Sequence, residues 1–143
     1  MSRYVLSPFE VEDAGPFQYN DLPVAGDADL ESQLQNVQVV PLENLLFRLV
    51  RAPLAELREV IPAADYKTER DGGEYPLVSE LIERFERGEA PVAIVFLWEW
   101  YRGHGEPRIV DGLHRASAAR AAGHEDIAAF ECINWEWRGV KRA

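Results

Sequence analysis

The chain has 143 residues, 47% of them apolar, which suits one domain able to bury roughly 16,000 Å² of its unfolded surface. A single cysteine, Cys132, excludes a disulfide framework, and no apolar run reaches the ~20 residues of a membrane helix. Acids outnumber bases 25 to 15, and the net charge of −10 opposes non-specific attraction to nucleic acid or to an anionic membrane. Met1-Ser2-Arg3 leads into acidic, proline-containing sequence that resembles neither a signal nor a transit peptide. A soluble cytoplasmic protein is the expectation.

Residues 1–36 hold one base, Arg3, against seven acids. Pro8, Gly15, Pro16, Pro23 and Gly26 break them every few residues, and no period of 2 or 3.6 is sustained. They read as an acidic arm in front of a domain spanning 37–143, with Phe9, Phe17 and Tyr19 as anchors. Val37-Gln38-Val39-Val40 is β-branched and predicts a first strand ending at Pro41. Pro53 opens a predicted short helix that Pro62 stops, and 63–73 is a polar stretch ending in Asp-Gly-Gly. From Pro76, the spacing of Leu77, Leu81, Ile82 and Phe85 predicts an amphipathic helix closed by Gly88. Residues 90–100 predict a central strand, apolar on both faces until Glu99. Residues 103–107 form the predicted turn of a hairpin whose return strand begins at Arg108. An alanine-rich helix over 116–122 and a closing strand over 127–137 follow. This order predicts a compact α+β domain, a small mixed sheet with helices packed on it.

The segment Ile109-Val110-Asp111-Gly112-Leu113-His114-Arg115 carries the chemistry. A short strand runs into a glycine turn and a helix begins at once. The free N–H groups and partial positive charge of such a helix start favour a phosphate. His114 and Arg115 add side-chain donors there, and Asp111 suits either a helix cap or a divalent ion on a bound nucleotide. Arginine opposes the dipole at a helix N-terminus, and a bound anion would reverse that penalty.

The pattern of strand, D-G-x-H-R, alanine-rich helix, glycine and strand resembles the ParB/sulfiredoxin superfamily, whose members share a helix-starting phosphate loop, G-x-x-R. The resemblance covers about residues 37–134, is specific only over 108–130, and includes Val39-Val40-Pro41-Leu42-Glu43-Asn44-Leu45 as an opening strand. It implies binding of ATP or another nucleoside triphosphate with Mg2+. Gly112, Leu113, His114 and Arg115, joined by Arg48, would hold phosphates; Asp111 would position the metal and His114 would donate to the transferred group.

The loop differs from that of each branch. Leu113 stands where sulfiredoxins have their catalytic cysteine, and Gly112-Leu113-His114-Arg115 stands where chromosome-partition ParB proteins have G-E-R-R. Nine residues after Asn134 leave no room for the helix-turn-helix of the latter. The loop is most similar to the D-G-H-H-R of free-serine kinases. The catalytic glutamate that those kinases carry after the first strand has no counterpart in 46–50, and Glu43 falls a few residues early. Two further functions stay open: an interaction module whose acidic arm binds a basic protein, and a ParB-like nuclease. His104, His114 and His124 lack the spacing of a zinc site, and Trp98, Trp100, Trp135 and Trp137 read as packing residues.

Overall fold

The computed structural model describes residues 9–57, 78–101 and 104–136. The Pro62 stop, the polar stretch over 63–73 and the Pro76 helix start lie outside them, and the closing strand expected over 127–137 ends at Cys132. The described residues form five strands, β1 (Glu10–Gln18), β2 (Leu46–Pro53), β3 (Ile94–Tyr101), β4 (His104–Asp111) and β5 (Asp126–Cys132). Three helices accompany them, α1 (Ala28–Val37), α2 (Val78–Glu86) and α3 (Leu113–Ala121). The strands make one mixed sheet in the order β1-β2-β5-β3-β4, with β5 and β3 parallel and the other neighbours antiparallel. The α+β expectation holds.

Side chains alternate across the inner strands, so each face of the sheet has its own core. On one face Val50, Ala52, Ile94, Phe96, Ile127 and Ala129 meet α2 and α3. Val78, Leu81 and Phe85 of α2 repeat at three and four residues and present one apolar stripe, whereas α3 packs closely through Ala116, Ala118 and Ala119. On the opposite face Phe47, Val95, Leu97, Phe130 and Cys132 meet Leu30, Leu34 and Val37 of α1.

Residues 9–36 are therefore built into the sheet and its two cores, and a boundary at residue 36 cuts the last turn of α1. Asp27 caps α1 by accepting from the Leu30 amide at 2.9 Å, and Leu30 and Leu34 are wholly buried. Tyr19, also buried, donates its hydroxyl to Glu31 and accepts from the Gly26 amide; burial is the main reason that its pKa is raised. Phe9 reaches across to the other face, 5.8 Å from Phe96 and 5.3 Å from Trp98. Strand β1 pairs along β2 with two register shifts, and its exposed Glu10, Glu12 and Asp13 keep this outer edge from recruiting another strand.

Two further expectations change. No strand forms over 37–40: Val37 ends α1, and the buried Gln38 side chain clasps the Val40 backbone at both its N–H and its C=O. Residues 46–50, which follow the expected first strand, belong instead to β2, and where Pro53 was expected to open a helix only a 3-10 turn over Leu54–Glu56 follows.

Candidate functional site

Asp111 closes β4 opposite Val95, and the chain must then leave the sheet edge and climb onto the α2/α3 face. Gly112 makes that turn in the left-handed region, at φ 102° and ψ 19°. A Cβ there would lie 2.5 Å from Cγ2 of Ile94, which is wholly buried, so the close approach as well as the dihedral requires glycine. Helix α3 starts at Leu113, three residues earlier than its alanine run predicts.

No side chain caps this start. The first helical bond runs from the Ala116 amide to the Gly112 carbonyl at 2.9 Å. The amides of Leu113, His114 and Arg115 precede it, and no carbonyl of the helix itself can accept from them. Leu113 leans on the core of that face, and His114 is exposed on the first turn.

Arg115 turns away from the helix start. Its Nε donates to the Val92 carbonyl at 3.1 Å, and its Nη2 to the Ala93 carbonyl at 3.0 Å and Asp111 Oδ2 at 2.9 Å. The side chain thus ties the approach to β3 to the end of β4. The sequence reads Arg115 as a phosphate ligand; here its guanidinium is engaged by Asp111 and two backbone carbonyls. Asp111 and two carbonyls compensate the guanidinium, so its position in the first turn of α3 needs no bound anion. Asp111 does not cap the helix, and its Oδ2 is held by Arg115.

Arg48 is not part of this arrangement. It lies on β2, two strands away from β3, with its Nε 2.6 Å from Glu131 Oε1. The Trp98 indole N–H donates to the other oxygen of Glu131, so this carboxylate, 1% exposed, has a partner at each end. Arg51 is likewise engaged, with Asp126 and, at 3.8 Å, with Glu12.

Among the described residues no three His, Cys, Asp or Glu side chains come together as a metal cage. His114 and His124 stand at opposite ends of α3. No described helix is long and apolar enough to cross a membrane. The Cys132 thiol is buried and its pKa is pushed up to about 12 by desolvation, far from a reactive thiolate.

The structure also presents a place that the sequence did not point to. A cleft of about 570 Å³ opens where β2 leaves the sheet and β5 enters it, beyond the C-terminal end of α3. None of residues 111–115 lines it. Comparison of the chain with family models, with curated proteins and with solved structures finds no match.

Proposed function

We propose that the chain is a nucleotide-binding domain of the ParB/sulfiredoxin type that receives phosphate at the start of α3. The observation that carries this reading is the uncapped helix start behind Gly112, where backbone amides and the helix dipole favour an anion. The Asp111–Arg115 pair supports it, because it neutralises the one carboxylate that would repel a phosphate at that turn. The exposed His114 adds a side-chain donor. Arg115 acts as a positioning residue that holds the turn. Asp111, paired with Arg115, does not suit a protein metal site, so a Mg2+ ion would arrive on the nucleotide's own phosphates. Hydrolysis or phosphoryl transfer would require a group acting on the phosphate, and His114 is the candidate at this turn.

The test is titration with ATP, CTP and GTP in the presence of magnesium, followed by amide chemical shifts and by assay of released phosphate. The largest shifts are expected at Leu113, His114 and Arg115. No binding at millimolar nucleotide, or shifts centred elsewhere, refutes the proposal.

A second reading draws on charge. Residues 19–44 carry five acids and no base, and they cover the sheet face opposite α3. That layer suits a basic protein partner, and the domain would then be a non-catalytic module. Salt-sensitive capture of such a partner, with no nucleotide shift at α3, would favour this reading.

A further inference from the structure

The turn into α3 holds a reactive pair that phosphate binding does not use. Asp111 is followed directly by glycine, a dipeptide that occurs once more in the chain, at Asp71–Gly72, outside the described residues. Glycine has no side chain to shield its amide nitrogen, so an aspartate before it is the one most open to attack by the backbone that follows. From the contacts around this pair we infer that Asp111–Gly112 is a modification site, a point of aspartate isomerisation that Arg115 keeps closed in the folded chain.

The reaction needs no co-reactant but water. The Gly112 nitrogen gives up its proton and bonds to Cγ of the Asp111 carboxylic acid, whose hydroxyl leaves with a proton as water, and a cyclic imide forms. Water then opens the ring at either carbonyl. One product is aspartate again. The other runs the main chain through the side-chain carbonyl, which adds a methylene to the backbone and leaves a free α-carboxylate. At the junction of β4 and α3 that longer link breaks the close approach of Gly112 to Ile94 on which the helix start depends.

Arg115 sits against both halves of the pair. Its Nη2 donates to Asp111 Oδ2 at 2.9 Å and lies 2.9 Å from where a Cβ on Gly112 would stand. Ring closure requires the carboxyl group to leave the guanidinium and swing over the Gly112 nitrogen. The guanidinium cannot follow, because Nε and Nη2 are tied to the Val92 and Ala93 carbonyls. Pairing of Asp111 with Val95 fixes the backbone on the strand side. The Asp111 side chain is 18% exposed, so water for the second step has access to it.

The full chain, folded and in urea, is incubated in water enriched in heavy oxygen, then digested and its peptides weighed by mass spectrometry. Ring opening takes its oxygen from the solvent, so label at Asp111 records every passage through the imide, whichever product forms. In urea both Asp–Gly pairs should take up label at similar rates. In the folded parent, uptake at Asp111 should be slower by about tenfold or more, and folded Arg115→Gln should regain about tenfold, the factor expected for loss of a charge-assisted hydrogen bond. Arg115→Lys keeps the charge but not the planar fork, and its rate should fall between the two. Leu34→Ala is the control: it lowers stability through a cavity on the opposite sheet face without touching the pair, and should stay within about twofold of the parent. Equal uptake by the folded parent and the chain in urea overturns the proposal, as does a folded Arg115 variant, glutamine or lysine, that reacts no faster than the parent. A rise in Leu34→Ala as large as that in Arg115→Gln shows reaction through global unfolding and overturns it too.

Discussion

Replacing Gly112 with alanine tests the turn on which the α3 site depends. The left-handed conformation costs an L-residue about 1–2 kcal/mol. The added Cβ also meets Ile94 Cγ2 at 2.5 Å and Arg115 Nη2 at 2.9 Å. Arg115 can yield only by leaving Asp111 or the Ala93 carbonyl, and Ile94 is wholly buried with no space to retreat into. Overpacking of this kind costs about 1–3 kcal/mol, so Gly112→Ala should lose about 2–5 kcal/mol in all. For a chain of this size that corresponds to a fall of roughly 10 °C in Tm.

Urea denaturation of Gly112→Ala, Ile94→Ala and the double variant separates the steric part from the backbone part. Ile94→Ala alone should cost about 2–5 kcal/mol through the cavity that it leaves. It also removes the methyl that blocks the new Cβ, so the double variant should be at least about 1 kcal/mol more stable than the two losses added. A Gly112→Ala protein within about 0.5 kcal/mol of the parent, or strict additivity in the cycle, would refute this account of the turn.

Glu131→Ala should destabilise by about 3–5 kcal/mol, because it removes the buried acceptor of the Arg48 Nε and of the Trp98 N–H, while Glu131→Gln should cost less; a loss below about 1 kcal/mol for alanine contradicts the role given to this carboxylate. Burial moves the Cys132 thiol from 9.0 to about 12, so between those values the unfolded chain releases a proton that the folded chain keeps. Stability should then be full below about pH 9 and fall as pH rises towards 12, a direction that the raised Tyr19 pKa shares; rising stability across that window in urea titrations would contradict it. A chain truncated to 37–143 should show no cooperative unfolding by circular dichroism, since it uncovers Phe47, Val95, Leu97 and Phe130, and a sharp transition would return the N-terminal segment to the status of an arm.

The second half of the fold was legible because single elements announce themselves there. Leu81 and Phe85 mark α2, the unbroken apolar run marks β3, and the alanine run with Gly123 marks α3. The first half depends on pairing. Strand β1 is exposed along nearly its whole length and shows no alternation, because its partner β2 supplies the order that its own residues do not. Helix α1 has three buried residues among polar ones, and its signal was the pair of Asp27 as cap with Leu30 and Leu34 four apart. Strand β2 was obscured by Arg48 and Arg51, charges that look wrong in a central strand until Glu131 and Asp126 lie beside them on β5. A lone glutamate in the apolar run Ile127-Ala128-Ala129-Phe130-Glu131-Cys132 was the available clue to that pairing.

The same pairing changes what an anion would meet at α3. Arg48 and Arg115, two arginines read as phosphate ligands, each lie against a carboxylate of the fold. Recognition at Gly112–His114 would therefore rest on backbone amides and the helix dipole, which act over a few ångströms. The long-range field of a −10 chain opposes the approach of a nucleotide. Five of its acids sit in residues 19–44, on the sheet face opposite α3. A helix with its side chains is about 10–12 Å across, so acids on the outer side of α1 are separated from the sheet by more than the Debye length of about 8 Å at physiological salt. Screening weakens their effect, whereas Asp111, the carboxylate at the turn itself, is neutralised at 2.9 Å by Arg115. The internal pairing that takes Arg115 from direct phosphate contact is thus also what keeps the start of α3 compatible with an anion.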